Sequence, residues 1–223
     1  LLEMKDIVSK SLNEKSGVYL IQNLNSEIDE IVHDALTTKS RQRNTYGMGP
    51  IKLVDPSSIL DEMRMCKTTE ELKIMQKSAD LASLAHTGAM EKTYVGIGEW
   101  EIQALIEGCF LSHGSQWSYP SIVGGGDNAT ILHYHANNKP VLDGELVLVD
   151  AGCEVDGYAS DITRTWPVNG KFTEPQREIY NLVLKAEIAG IEACRVGAPW
   201  NASHKAAMEA VSYTHLRAHE TIH

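Results

Sequence analysis

Two aspartates in the second half of the chain are spaced so that their carboxylates could share a metal site. Asp150 and Asp161 lie on either side of Asp156-Gly157, a dipeptide that favours a two-residue type I′ turn between two strands. Such a turn pairs Asp150 with Thr163. It also pairs Asp161 with Gly152, which leaves open space beside this aspartate. Because directly paired residues share a sheet face, the two carboxylates become diagonal neighbours, with Cβ atoms roughly 7 Å apart or less.

The charges of Asp150 and Asp161 indicate what such a site could bind. Two like charges on one strand face repel each other unless a cation lies between them. Two divalent metal ions about 3.5–4 Å apart fit between carboxylates placed in this way. Oxygen ligands favour Mn²⁺ or Mg²⁺, and Zn²⁺ or Co²⁺ become possible if a histidine joins the site. A solvated strand face with two ordinary acids has the same spacing, so both interpretations stay open at this point.

Histidine is the other residue type here that could take part in catalysis. His133 lies 17 residues before Asp150, within residues 131–135, whose pattern predicts a strand. In a strand, His133 and His135 would share a face. Metal chelation by this pair is therefore a second possibility, ranked lower because nothing nearby in the sequence completes such a site. A lone histidine is more often a core or surface residue than a catalyst, and this interpretation also stays open.

Helices and strands follow one another in an order that could position these residues. The capping box of Thr68 with Glu71 opens a long helix, and a second capping box begins at Thr173. The apolar periodicity predicts helices over residues 26–39, 59–63, 69–91, 99–112 and 174–194. Shorter apolar runs predict strands over residues 18–21, 121–123, 131–135, 146–155 and 158–166. This order predicts an α+β, or mixed α/β, fold.

Composition and charge argue against several classes of function. With 223 residues and 43% hydrophobic side chains, the chain can bury a core. Its 30 acidic against 20 basic side chains give a net charge of −10, which argues against nucleic-acid binding. The apolar runs fall far short of the roughly 18–20 residues that span a bilayer, and no leader sequence opens the chain. We therefore expect a cytoplasmic location, with no membrane partner.

Five segments between residues 85 and 165 recur, in this order, in one known family. They are AHTGAME (85–91), YPSIVG (119–124), ILHY (131–134), DAGCE (150–154) and GYASDITRT (157–165). With them the chain resembles the pita-bread metallopeptidases of the M24 type, from about residue 69 to residue 211. Within that family it most resembles the aminopeptidase P branch, the Xaa-Pro aminopeptidases. The resemblance implies the first half of a pita-bread domain, preceded by the end of an N-terminal α/β domain.

The resemblance implies roles for three residues. Asp150 and Asp161 would be metal ligands, Asp161 serving one ion or both, and His133 would be the active-site histidine that contacts the substrate. The ions would be two divalent metals, with Mn²⁺ expected. In the implied hydrolase reaction, metal-activated water attacks the peptide bond before proline and the N-terminal residue is released. The implied partners are peptides with proline at the second position and, in a homo-oligomer, further copies of the same protein.

Alternatives and a division of the chain follow from the same resemblance. A prolidase-type dipeptidase and a metal-less pita-bread domain that binds proteins are the alternative functions. Residues 1–65 would end the N-terminal domain and residues 66–211 would begin the catalytic domain. Residues 212–223 resemble translated sequencing adapter and would be a non-native tail. Their histidines at positions 215, 219 and 223 make a surface metal site the alternative.

The resemblance also implies that part of the metal site is absent from this chain. In this family one His and two Glu from the second half of the domain complete the ligand set. The chain opens on Leu1 rather than Met and stops before that half. We therefore expect a truncated fragment that binds metal weakly and has no peptidase activity by itself.

Overall fold

The computed structural model describes residues 2–12, 17–46 and 51–220. The chain divides into two units, Leu1–Thr69 and Glu70–His223. The sequence places the end of its first domain at residue 65, a few residues before this division. That these units are an N-terminal and a catalytic domain stays a prediction. None of the helices within the described residues combines the length and the apolar character that a bilayer-spanning segment needs.

The first unit is a small α/β unit. Its two strands pair in parallel, with Gly17 opposite Lys52, and parallel pairing requires a long connection. A helix supplies that connection. Asn25 caps it, because its Oδ1 accepts hydrogen bonds of 3.1 Å from the N–H groups of Glu27 and Ile28. The elements are α1 (Leu2–Ser11), β1 (Gly17–Tyr19), α2 (Ser26–Tyr46), β2 (Lys52–Val54) and α3 (Ser57–Met65).

The second unit combines helices with two antiparallel sheets. Its helices are α4 (Thr69–Lys92), α5 (Glu99–Ser112), α6 (Glu174–Ala193) and α7 (Ala202–Glu220). Its strands are β3 (Gln116–Trp117), β4 (Ile122–Gly125), β5 (Leu146–Ala151), β6 (Cys153–Val155), β7 (Tyr158–Ala159) and β8 (Ile162–Pro167). A 3-10 helix, Gly126–Thr130, follows β4. One sheet has the order β4-β5-β8 and the other the order β3-β6-β7, so β5 is the central strand of its sheet.

Alternation along β5 separates the core from the face that carries Asp150. Val147, Val149 and Ala151 are fully buried, and Asp150 lies on the opposite, half-buried face. Because the α4 contribution to the core is alanine, this helix can approach the sheet closely. The helices α4 and α5 both contribute buried side chains to this core. They are Ala82, Ala85 and Ala89 from α4 and Ile102, Ile106 and Phe110 from α5.

Most of the predicted elements are present, and the predicted mixed α/β fold is confirmed. The helix predicted over residues 99–112 coincides with α5, and the one predicted over 26–39 runs on to Tyr46. The helix α7 continues to Glu220, across the position where the sequence predicts a tail to begin. The non-native origin of that tail stays a prediction, and its last residues, 221–223, lie outside the described part of the chain.

Three strand predictions are wrong: the strand predicted over 158–166 is divided into β7 and β8, which belong to different sheets, and two others also fail. Residues 131–135 form no strand: they follow the 3-10 helix as a turn and an irregular segment, in which His133 has a left-handed φ of 55°. The strand predicted over 146–155 is broken at Gly152 into β5 and β6, which belong to different sheets. The argument that His133 and His135 share a strand face therefore fails.

Candidate metal centre

The hairpin that carries the two aspartates has the turn and the register that its sequence predicts. Residues Asp156-Gly157 have φ of 48° and 82°, both positive as a type I′ turn requires. Val155 pairs with Tyr158 across the turn. Further along the hairpin, Asp150 pairs with Thr163. The predictions of turn and register are confirmed.

The space beside Gly152 is filled rather than open, contrary to the prediction. A Cβ at this position would lie 1.8 Å from the carbonyl oxygen of Ser160, so only glycine lets the two backbones come this close. The Ser160 N–H donates to the carbonyl of Cys153 at 2.8 Å. The Ser160 Oγ accepts from the Cys153 N–H at 3.0 Å. These contacts hold the hairpin together immediately before Asp161.

Tyr119 brings the carboxylates of Asp150 and Asp161 together. Its hydroxyl oxygen lies 2.5 Å from Oδ1 of Asp150 and 3.0 Å from Oδ1 of Asp161, so these two carboxylate oxygens are at most 5.5 Å apart. Burial raises the pKa of Tyr119, and its hydrogen bonds to the two carboxylates raise it further, so the phenol stays protonated. The two aspartates therefore face the same side of the hairpin, as predicted.

The chemistry of this pair fits a divalent metal ion. A hydroxyl has one proton, so Tyr119 fully satisfies only one of two negative carboxylates at a time. Carboxylate oxygens are the ligands that Mn²⁺ and Mg²⁺ prefer. Within the part of the chain that the structure describes, no cluster of three or more His, Cys, Asp or Glu side chains could hold a metal ion. The described residues thus offer two carboxylates that could ligate a metal ion.

His133 makes no direct contact by hydrogen bonding with Asp150 or Asp161 in the described structure. Its side chain is exposed. The neighbouring Tyr134, in contrast, is buried, and its hydroxyl donates a hydrogen bond of 2.8 Å to Glu99. The position of His133 is therefore set by the loop around it.

Glu99, the first residue of α5, holds that loop. It is fully buried, and each of its carboxylate oxygens accepts two hydrogen bonds. The donors to Oε1 are the Gly125 N–H and the Asn128 Nδ2, both at 2.8 Å, and the donors to Oε2 are the Tyr134 hydroxyl at 2.8 Å and the Lys139 N–H at 3.0 Å. Desolvation alone would raise the pKa of Glu99, but these hydrogen bonds together lower it below its ordinary value.

A buried histidine lies behind the strand that carries Asp150. His86 of α4 is 2% exposed, and its Nε2 lies 3.1 Å from the carbonyl oxygen of Ala151, so Nε2 carries the proton and donates it. Its Nδ1 is buried and, among the described residues, has no hydrogen-bond partner. Burial lowers the pKa of His86, which keeps the imidazole neutral.

Tyr119 and Glu99 are site residues that the sequence does not single out. Tyr119 opens the YPSIVG segment, which is its only signal. Glu99 stands in the first turn of a helix, where acidic residues are common because they interact favourably with the helix dipole. Nothing in its local sequence therefore distinguishes a buried Glu99 from an exposed one.

Comparison with known sequences assigns a family to most of the chain. The sequence profile of metallopeptidase family M24 matches residues 73–223. The Xaa-Pro aminopeptidase of Escherichia coli (strain K12) is 40% identical over 196 residues, which are 87% of this chain and 44% of the relative. The protein named intermediate cleaving peptidase 55, mitochondrial, of Arabidopsis thaliana is 38% identical over 157 residues, which are 70% of this chain and 31% of the relative. The chain spans less than half the length of these relatives.

Solved structures show the same fold. Pseudomonas aeruginosa aminopeptidase PepP matches with a TM-score of 0.92 at 34% identity, over 97% of this chain and 49% of that one. Zinc-substituted E. coli aminopeptidase P in complex with product matches with a TM-score of 0.81 at 40% identity, over 87% of this chain and 44% of that one. The pita-bread fold that the resemblance implies is confirmed.

Proposed function

Because the chain belongs to metallopeptidase family M24, we propose that it is part of a metal-dependent Xaa-Pro aminopeptidase. This enzyme would release an N-terminal residue that precedes proline. The observation that carries the proposal is the convergence of the Asp150 and Asp161 carboxylates on one hydroxyl group, inside the region that matches the family. Relatives named Xaa-Pro aminopeptidase at 40% and 41% identity support the substrate class.

Asp150 and Asp161 would hold the metal. Divalent ions bound there, Mn²⁺ by our expectation, would activate water and polarise the scissile carbonyl. Asp150 projects from the central strand of its sheet, which restricts its movement. Asp161 follows Ser160, whose N–H and hydroxyl are both hydrogen-bonded to the backbone of Cys153. Tyr119 would stay protonated and continue to orient a carboxylate oxygen, as outer-shell hydrogen bonds do for metal ligands.

His133 would act on the substrate rather than on the metal. It is exposed, whereas the next residue, Tyr134, is buried and hydrogen-bonded to Glu99. An exposed imidazole on a fixed backbone can contact a peptide and transfer a proton near the cleaved bond. This role follows the resemblance of the ILHY segment to the family.

By itself this chain would be inactive. By the resemblance, one His and two Glu from the second half of the pita-bread domain complete the ligand set. The chain spans only 44% of the E. coli relative. Asp150 and Asp161 alone would bind a divalent ion weakly. The same aspartates argue against the metal-less binding module, since a domain of that kind has no need for two converging carboxylates.

The test uses a full-length protein that contains this sequence. Purified protein is freed of metal, loaded with Mn²⁺, and given peptides of two to six residues with proline at the second position. Release of the first residue from all of them supports the aminopeptidase. Cleavage of the dipeptide alone would indicate the prolidase alternative, and no Mn²⁺-dependent cleavage would contradict both.

The cellular location and the oligomeric state stay predictions. The relatives include a mitochondrial protein as well as bacterial ones, so the expected cytoplasmic location is not decided by them, and neither is the expected homo-oligomer.

A further inference from the structure

We propose that Glu99 is a positioning residue that holds His133 in place for the reaction proposed above, on which this inference rests. Glu99 is fully buried, whereas His133 is exposed in the loop after the 3-10 helix. Burial of a carboxylate is unfavourable unless its oxygens are hydrogen-bonded. A position that served packing alone would therefore favour an apolar residue.

The hydrogen bonds of Glu99 enclose His133 on both sides along the chain. Asn128, in the 3-10 helix before it, donates to Oε1, and Tyr134, directly after it, donates to Oε2. The Asn128 amide also donates to the Tyr134 hydroxyl at 2.9 Å, which joins the two anchors. At the far end of the loop, the backbone N–H of Lys139 donates to Oε2. The carboxylate thus binds both ends of the segment that carries His133.

The backbone of His133 indicates that the loop is held rather than relaxed. A φ of 55° is uncommon for a residue with a side chain and persists where the surroundings enforce it. Asn137, four residues later, has a φ of 42° and is also buried. Its side chain accepts from the Val123 N–H at 3.0 Å and donates to the carbonyl of Ser121 at 2.8 Å. Glu99 and Asn137 together leave the loop little freedom.

The experiment compares Glu99→Gln with Glu101→Gln in the full-length protein. Glutamine has the same size as glutamate, but one of its two terminal groups is an NH₂ that cannot accept a hydrogen bond. In either orientation this NH₂ would face a backbone N–H, of Gly125 or of Lys139, that now donates to a carboxylate oxygen. Glu101 lies in the same helix turn and accepts from the Gly98 N–H at 2.7 Å without touching the loop, so it is the matched control. We measure kcat and KM on an Xaa-Pro peptide and amide hydrogen exchange over residues 125–139.

The expected result is specific to the loop. Glu99→Gln lowers kcat by up to about a hundredfold with KM changed less than threefold, since a small displacement of a reacting group has effects of that size. Amide exchange rises in residues 125–139 and stays unchanged in β5, and Glu101→Gln behaves as wild type. His133→Ala lowers kcat, and the double variant Glu99→Gln/His133→Ala is no slower than His133→Ala alone, because Glu99 acts through His133.

Other results overturn the inference. If the two substitutions lower kcat multiplicatively, Glu99 acts elsewhere, and if exchange rises equally in β5, its role is general stability. If Glu99→Gln does not fold, Tyr134→Phe takes its place in the experiment. This variant removes one hydrogen-bond donor and retains the buried carboxylate. It should lower kcat and raise amide exchange over residues 125–139 in the same way, but to a smaller extent. An inactive wild-type protein would contradict the proposed function, while the exchange data would still decide whether Glu99 holds the loop.

Discussion

The hairpin that carries Asp150 and Asp161 and the loop that carries His133 present their residues by different means. In the hairpin, one turn dipeptide determines which residues pair over the whole length of both arms. In the loop, the backbone follows no repeating pattern. The residue that holds it, Glu99, is 26 to 40 residues away from its partners in the chain.

This difference explains why one region follows from local sequence and the other does not. A type I′ turn depends on the conformational preferences of two adjacent residues, which any unfolded chain already has. A loop anchored by a buried carboxylate depends on α5 and β4 being in place first. A mutation in the hairpin should therefore change the structure at the mutated residue itself. A mutation at Glu99 should instead change the loop that carries His133, which is distant from Glu99 in the sequence.

The largest expected effect is that of replacing Asp161, one of the two proposed metal ligands. In the full-length protein, Asp161→Ala should lower Mn²⁺-dependent release of the residue before proline by about a thousandfold or more, because a ligand is lost. Asp156→Asn is the matched control: it also removes a carboxylate, but it does so at the exposed turn, where Asn is equally suited to a positive φ. Retained activity in Asp161→Ala would place the metals elsewhere.

The next effect concerns the close approach of the two arms of the hairpin. Gly152→Ala should destabilise the 223-residue chain by about 3 kcal/mol, because the new Cβ would meet the Ser160 carbonyl oxygen at 1.8 Å. Gly108→Ala in α5 is the control, because a Cβ added there would meet no atom within 4 Å. It should stabilise the chain by about 0.5–1 kcal/mol, since alanine favours a helix more than glycine does. Urea unfolding of both variants measures this, and equal stabilities would contradict the close contact.

A smaller effect should appear on acidification. The pKa of Glu99 is lowered in the folded state, so the unfolded chain binds a proton more readily. The stability that Glu99 contributes is complete above about pH 4.3, the ordinary pKa of glutamate, and is lost as the pH falls through the folded pKa. The free energy of unfolding of Glu99→Gln should therefore decline less steeply from pH 5 to pH 3 than that of wild type. Glu101→Gln, which retains Glu99, should keep the wild-type slope.

The smallest effect is that of metal on the isolated chain. With only Asp150 and Asp161 as ligands, 1 mM Mn²⁺ should raise the melting temperature by less than about 2 °C, since stabilisation grows as RT ln(1 + [L]/Kd). Differential scanning fluorimetry with and without Mn²⁺ measures the shift, and Asp150→Asn supplies the baseline. A large saturable shift that disappears in Asp150→Asn would show that the chain holds a tight site.

The amino-acid sequence by itself determined most of the helices and the placement of the carboxylate pair. Capping residues and apolar periodicity gave the boundaries of α5 and α6 to within a residue or so, because these signals act within one helical turn. The Asp156-Gly157 turn and the alternation of strand side chains placed Asp150 and Asp161 on one face. The five family segments then imply that the pair are metal ligands, a role that spacing left open and that stays a prediction.

Only the tertiary structure decided how the site is supported. The sharing of the Tyr119 hydroxyl between two carboxylates, the burial of Glu99 and the left-handed backbone of His133 all depend on residues far apart in the chain. The predicted strand over residues 131–135 failed for the same reason: the apolar pattern there was local, whereas Glu99 accepts hydrogen bonds from the loop over long separations. Local preferences favour a conformation only weakly, and buried hydrogen bonds that must be satisfied outweigh them.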